Sequence, residues 1–136
     1  MTIEKRVCIV DDDKIFAFLT KKAIEQTNLF NEIIIFGNGL DAINFFKENI
    51  NDQKLLPEIV LLDLNMPIMD GWQFLDEFIL LQPNLTNKTL IYVVSSSISD
   101  EDINKAKSIT GVSDFIVKPL SKEKILNIIK SSESLR

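Results

Sequence analysis

The chain has 136 residues, 46% of them hydrophobic, and contains one cysteine and no histidine. This composition excludes an intrachain disulfide, the histidine-based zinc hydrolase motifs and a Ser-His-Asp triad, and the net charge of -5 disfavours binding to nucleic acid phosphates. No apolar run approaches the roughly 20 residues of a membrane span and the polar start lacks a signal-peptide core, so we expect one cytoplasmic domain over residues 1–136 with no membrane contact.

In the first half of the chain, short β-branched runs alternate with segments of helical periodicity, which is typical of βα units around a parallel sheet. Strands are predicted at about 6–10 and 32–36, and the helix between them at about 14–26 with Asp13 as its N-cap. The apolar side of that helix is predicted to consist of Ile15, Phe18, Leu19 and Ile24. After a glycine-rich turn, the side chains of a second helix predicted to face the core are Leu40, Ile43 and Phe46.

The second half of the chain continues the same alternation. Strands are predicted at about 59–62, 89–95 and 113–117. Asp70 with Gln73, and Ser99 with Asp102, resemble capping boxes that open the third and fourth helices, and Gly111 should end the fourth. A fifth helix is predicted at about 122–130, before a short polar tail, so that the folded core covers about 5–131.

Five βα repeats with right-handed crossovers predict an α/β, flavodoxin-like (βα)5 fold, a doubly wound parallel sheet with strand order 2-1-3-4-5. In that order the first and third strands are neighbours at the switch point, where open α/β sheets bind ligands. Every strand but the second ends on residues that phosphoryl-transfer chemistry uses, and these are Asp11-Asp12-Asp13, Asp63, Ser95-Ser96-Ser97 and Lys118. The convergence predicts a magnesium-assisted site at which an aspartate is phosphorylated.

Together with Asn65-Met66-Pro67, Asp70-Gly71 and Lys118-Pro119, these motifs resemble the receiver domain of bacterial two-component response regulators, over about residues 7–129. The resemblance implies a stand-alone receiver of the chemotaxis-regulator type. A receiver is a signalling domain that takes its phosphoryl group from a sensor histidine kinase or a histidine phosphotransfer protein. It is not a turnover enzyme, because it catalyses only its own phosphorylation and dephosphorylation.

The resemblance also implies roles for individual residues. Asp63 corresponds to the phosphoacceptor, Asp11 and Asp12 to the acidic pair at the metal, and Lys118 to the lysine that contacts the phosphoryl group. The main-chain carbonyl of Asn65 corresponds to a further ligand of Mg²⁺ or Mn²⁺. By the same comparison, the Lys118-Pro119 peptide is expected to be cis.

Two more positions correspond to the switch of the family. The switch hydroxyl falls on Ser96, although its neighbours Ser95 and Ser97 allow the assignment to slip by one position. The switch aromatic falls on Phe115, which has no hydroxyl group, so a partner that reads a tyrosine there would not recognise it. Packing in the core is the alternative role for Phe115.

Three other functions fit parts of the sequence. Residues 37–42 match the dinucleotide fingerprint G-x-G-x-x-A after a strand, but the chain is too short for the two halves of a dinucleotide site. A phosphatase of the haloacid dehalogenase type would use Asp11 as nucleophile with Asp13 two residues on, although no cap domain is evident. A degenerate receiver that only binds partners is disfavoured by the complete set of site residues.

Overall fold

The computed structural model of the protein describes residues 5–86, 88–96, 99–109 and 111–135. The strands are β1 (Arg6–Val10), β2 (Glu32–Phe36), β3 (Ile59–Leu62), β4 (Leu90–Ser95) and β5 (Val112–Val117). The α-helices are α1 (Lys14–Glu25), α2 (Gly39–Glu48), α3 (Gly71–Leu81), α4 (Asp100–Ser108) and α5 (Lys122–Leu135). Short 3₁₀ turns follow α2 at Gln53–Leu55 and α3 at Gln82–Asn84.

The strands form one parallel sheet in the order β2-β1-β3-β4-β5, which confirms the predicted flavodoxin-like topology. In the register of this sheet, Val10 at the end of β1 lies beside Leu62 at the end of β3. The residues that follow these two strands therefore emerge side by side at the carboxyl edge of the sheet.

Each face of the sheet carries its own apolar core. On the face covered by α2 and α3, Phe46 packs edge-to-face on Phe78, with ring centroids 5.2 Å apart. The other face packs against α1 and α5 through residues such as Ile24 and Ile128. Cys8 is fully buried in β1, and burial raises the pKa of its thiol, so this cysteine is an inert core residue.

The prediction for the apolar side of α1 is wrong for three of its four residues. Ile24 is buried, but Ile15, Phe18 and Leu19 are 74%, 54% and 60% exposed. The helix instead buries Ala17 and Thr20 together with Ile24. Small side chains at spacings of three and four residues allow α1 to approach α5 closely, and the larger apolar side chains are left on the solvent face.

The helix ends largely follow the predictions. Asp13 caps α1, and Asp70 and Gln73 form a reciprocal capping box at the start of α3. Three details differ. Leu40 is 38% exposed although it was predicted to face the core. The α4 helix ends at Ser108 with Ile109 as its C-cap, before the predicted stop at Gly111. The α5 helix continues through Leu135, so residues 131–135 of the predicted tail are helical.

One contact links α4 to the start of α3. The ammonium of Lys105 in α4 lies 4.4 Å from the centroid of the Trp72 ring, the second residue of α3. No helix among the described residues is long and apolar enough to cross a bilayer.

Candidate functional site

The sheet itself fixes the two central carboxylates. Asp11 directly follows β1, and its amide donates a hydrogen bond of 2.9 Å to the carbonyl of Phe36 in β2. Asp63 directly follows β3, and its amide donates a hydrogen bond of 2.9 Å to the carbonyl of Val10 in β1. Because the ladder continues through both residues, their side chains start from rigid backbone rather than from a free loop.

Three carboxylates converge at this edge. Single oxygens of Asp11, Asp12 and Asp63 all lie within 4.8 Å of one another. Asp11 and Asp63 are buried, whereas Asp12 is exposed. Hard divalent cations such as Mg²⁺ prefer oxygen ligands of this kind, so the residues fit a metal site.

The proximity of these carboxylates changes their acidity. Burial, reinforced by the charge of Asp11, raises the pKa of Asp63 to about 6, although Lys118 and the Asn65 amide act in the opposite direction. Burial also raises the pKa of Asp11. The ionised form of both carboxylates is therefore unfavourable in the folded protein, and a bound cation would reduce this free-energy cost.

Lys118 brings the opposite charge from the end of β5. Its ammonium lies 2.8 Å from Oδ2 of Asp11 and 3.9 Å from Oδ1 of Asp63. The Lys118 amide donates a hydrogen bond of 3.0 Å to the carbonyl of Ser95, which ties the residue to the end of β4. The Lys118-Pro119 peptide is cis, as the resemblance implied.

Two glycines hold the loop between β3 and α3 close to the site. An added Cβ on Gly71 would lie 2.4 Å from the carbonyl oxygen of Asp63, so α3 begins in direct contact with the end of β3. The Gly39 amide donates a hydrogen bond of 2.9 Å to the Met69 carbonyl, and a Cβ on Gly39 would lie 2.8 Å from the same oxygen. The loop is fixed at both ends because these two positions carry no side chain.

The dinucleotide fingerprint at 37–42 is explained by this packing. In a dinucleotide site, free amides at the helix start would face the pyrophosphate. Here the Gly39 amide bonds Met69, and the Asp41 amide donates a hydrogen bond of 2.8 Å to the Asn38 side chain. Gly39 therefore serves the close approach of α2 and the β3–α3 loop.

Of the predicted switch residues, Ser96 directly follows β4 and Phe115 lies within β5. Ser96 follows β4 and is exposed, whereas Ser95 is buried. Phe115 is half-buried, packs against the core of the α2–α3 face and lies beside Val93 of β4. Ser97 lies outside the described residues.

The comparisons with known proteins agree with this geometry. The family profile described as the response regulator receiver domain matches residues 7–130. The chain belongs to this family. A two-component response regulator from Cytophaga hutchinsonii, known from a crystal structure, is similar to this receiver, with a TM-score of 0.82 and 29% identity over 98% of this chain and 99% of that chain.

Two further relatives are similar to the receiver. The probable methanogenesis regulatory protein FilR2 of Methanothrix harundinacea is 27% identical over 91% of this chain and 78% of its own length. The Mn²⁺-bound form of response regulator Rcp1, a protein of Synechocystis, has a TM-score of 0.72 and 26% identity over 96% of this chain and 92% of that chain. Some curated relatives are much longer, and the receiver spans 28% of a protein-glutamate methylesterase from Azospirillum brasilense.

Sequence analysis missed one residue of the receiver site. The ring of Phe16, in the first turn of α1, lies with its centroid 4.2 Å from the Lys118 ammonium. Helical side chains tilt toward the N-terminus of their helix, so a residue in the first turn after the acidic pair points back to the site. An aromatic residue at that position was the available signal.

The metal-free receiver should lose stability as pH rises through the pKa of Asp63. The folded-state pKa of about 6 lies above the ordinary value of 3.8, so protonation of Asp63 favours the folded state. We expect the free energy of unfolding in chelator to fall between about pH 4 and pH 7. Urea titrations followed by circular dichroism measure this dependence, and Asp63→Asn should flatten it. A wild-type curve as flat as that of the variant would contradict the prediction.

Proposed function

We propose that this receiver accepts a phosphoryl group on Asp63 from a phosphohistidine, with Mg²⁺ or Mn²⁺, and that phosphorylation switches a protein-interaction surface. The donor would be a sensor histidine kinase or a histidine phosphotransfer protein, and the location cytoplasmic. One observation carries the proposal, namely the buried Asp63 carboxylate, which has an oxygen within 4.8 Å of oxygens of Asp11 and Asp12 and lies 3.9 Å from the Lys118 ammonium.

The chemistry follows from the residues that surround Asp63. One of its carboxylate oxygens attacks phosphorus, a P–O bond to Asp63 forms, and the bond between phosphorus and the leaving group breaks. Lys118 neutralises charge on the transferred group, because phosphoryl transfer depends mainly on positioning and charge stabilisation. The side chains of Asp11, Asp12 and Asp63 and the carbonyl of Asn65 would hold the cation, which supplies further neutralisation when bound.

The output follows from new contacts at the ends of β4 and β5. A phosphoryl group on Asp63 gives the Ser96 hydroxyl a strong acceptor, which favours an inward position of the loop after β4. Phe115, half-buried beside β4, then turns further into the core. The surface of α4, β5 and α5 changes to the extent that the two states contact the phosphoryl group differently.

A partner protein, rather than a small substrate, fits the surroundings of the site. Ile15 lies in the first turn of α1, three residues after Asp12, and is 74% exposed, and Leu19, one turn further along the helix, is 60% exposed. Exposed apolar groups of this size next to a polar site are typical of surfaces that bind proteins. The site is therefore accessible to a macromolecular phosphodonor.

The phosphatase alternative requires groups that are already engaged. Its nucleophile would be Asp11, whose Oδ1 accepts the Asp13 amide at 2.9 Å and whose Oδ2 lies 2.8 Å from the Lys118 ammonium. Its acid–base group would be Asp13, whose Oδ1 accepts the Phe16 amide at 3.0 Å as the cap of α1. Asp63 also accepts a backbone amide, that of Asn65, but the Lys118 ammonium lies 3.9 Å from it rather than 2.8 Å, so Asp63 is the less engaged carboxylate and the better nucleophile.

Phosphorylation by acetyl phosphate tests the proposal directly. With Mg²⁺, the intact mass of the receiver should increase by one phosphoryl group, and a chelator should prevent the increase. Asp63→Asn should remove the modification, because an amide oxygen is a poor nucleophile and forms no stable acyl phosphate. Asp13→Asn is the matched control, since asparagine also caps helices well.

Two outcomes would reject the proposal. One is a wild-type protein that gains no phosphoryl group although its Mg²⁺ site is saturated. The other is modification of Asp63→Asn to the wild-type extent. Steady release of phosphate from a small phosphoester by the wild type would instead support the phosphatase.

A further inference from the structure

Lys118 is held by contacts that come from the first turn of α1. The Asp13 amide donates a hydrogen bond of 2.9 Å to Oδ1 of Asp11, and the Phe16 amide donates one of 3.0 Å to Oδ1 of Asp13. The Phe16 ring centroid lies 4.2 Å from the Lys118 ammonium, which in turn lies 2.8 Å from Oδ2 of Asp11. These contacts form a closed circuit that joins the ends of β1 and β5 to α1.

In this circuit the Lys118 ammonium lies nearer to Asp11 than to the proposed phosphoacceptor. In the structure Lys118 is paired with Asp11 at 2.8 Å and lies 3.9 Å from Asp63, the proposed acceptor. A cation bound by Asp11 would compete with this pair, because the two positive charges repel each other. The ammonium must then move toward Asp63 while it keeps some favourable contact.

The Phe16 ring provides that contact. The face of an aromatic ring attracts an ammonium over a range of positions within about 6 Å of its centroid and imposes no single direction. The Lys118 side chain is only 13% exposed, so little water is available to stabilise the ammonium in place of Asp11. The backbone on both sides of Lys118 is also fixed, since the Lys124 ammonium donates hydrogen bonds of 2.9 and 3.2 Å to the carbonyls of Val117 and Pro119.

We propose that Phe16 is a positioning residue for Lys118, which keeps the ammonium on the face of its ring as the lysine passes from Asp11 to the phosphoryl group on Asp63. The inference rests on the proposed function for its last step. Its first step, contact between the Phe16 ring and the ammonium, concerns the metal-free protein alone.

Matched substitutions in α1 separate this role from general packing. We expect Phe16→Leu to lower the rate constant of phosphorylation by acetyl phosphate about tenfold at saturating Mg²⁺, because loss of a partly desolvated cation–π contact corresponds to a factor of that order. Phe16→Tyr, which keeps an aromatic face, should restore the rate to within about twofold of the wild type. The control is Phe18→Leu, the same substitution at a ring that lies 5.4 Å from a different ammonium, that of Lys22, and it should leave the rate unchanged.

Nuclear magnetic resonance gives a second readout that needs neither metal nor phosphorylation. Protons of the Lys118 ε-methylene group should resonate upfield in the metal-free protein, because their carbon is bonded to the ammonium that lies over the Phe16 ring. Lys118→Arg identifies the signal by its loss. The upfield shift should disappear in Phe16→Leu, remain in Phe16→Tyr and persist in the wild type when Mg²⁺ is added.

These measurements distinguish failure of the inference from failure of the proposed function. If Phe16→Leu were phosphorylated as fast as the wild type, the inference alone would be overturned. The absence of an upfield methylene signal in the wild type would have the same meaning. A shift lost on addition of Mg²⁺ would also overturn it. A wild type that accepts no phosphoryl group would reject the proposed function. The methylene signal would still show whether the Phe16 ring contacts the Lys118 ammonium.

Discussion

Replacement of Gly71 by alanine should destabilise the receiver by about 3 kcal/mol, in the upper range for the insertion of a methyl group into a packed site. The new Cβ would lie 2.4 Å from the carbonyl oxygen of Asp63 and 2.8 Å from Cα of Leu64, both in the main chain. Because backbone cannot yield as a flexible side chain can, α3 must move away from the end of β3. Urea denaturation measures the loss.

The same substitution should also impair the site. Movement of the main chain at Asp63 displaces the carboxylate that closes the acidic cluster, so isothermal calorimetry should show weaker Mg²⁺ binding. Gly37→Ala is the matched control, since a Cβ at Gly37 would meet nothing within 4 Å. If both alanine variants had equal stability, the close approach at Gly71 would not be the constraint that the structure indicates.

Replacement of Lys118 by methionine should have a large effect on both stability and chemistry. The ammonium is the cation nearest to the buried Asp11 and Asp63 carboxylates among the described residues, and removal of one partner from a buried pair costs about 3–5 kcal/mol. In chelator at pH 8 we expect a loss of that order. At pH 5, below the pKa of about 6 for Asp63, the loss should be smaller, because protonation removes part of the uncompensated charge.

The effects of Lys118→Met on metal binding and on phosphorylation should have opposite signs. Without the ammonium at 2.8 Å from Asp11, Mg²⁺ meets no competing positive charge and should bind more tightly in calorimetry. Phosphorylation by acetyl phosphate should slow by about 100-fold, the usual loss when one preorganised electrostatic contact is removed. Lys122→Met, on the exposed start of α5, is the control. Unchanged metal affinity together with an unchanged rate would contradict both expectations.

The site was predictable because the order of the strands determines it. Once β1 and β3 are known to be neighbours, Asp11 and Asp63 have to meet, whatever the details of the helices. The lysine after β5 was also placed correctly, since parallel strands end at the same edge. One short-range signal, the Asp70–Gln73 capping box, was also predicted correctly.

The face of α1 was not predictable from periodicity alone. Its sequence offers two sets of residues at helical spacing, one with large apolar side chains and one with Ala17, Thr20 and Ile24. Only the distance between the helix and its neighbours decides which set is buried, and a close approach selects the small residues. The contact of Phe16 with Lys118 was missed for a related reason, because it depends on how the first turn of α1 is oriented over the sheet.

The contact between Lys105 and Trp72 has a practical consequence. The chain has a single tryptophan, and the ammonium of Lys105 in α4 lies 4.4 Å from the centroid of its indole ring. Any displacement of α4 relative to α3 changes the charge next to that indole and with it the emission of the protein. The tryptophan fluorescence of the unlabelled chain therefore reports on the position of α4.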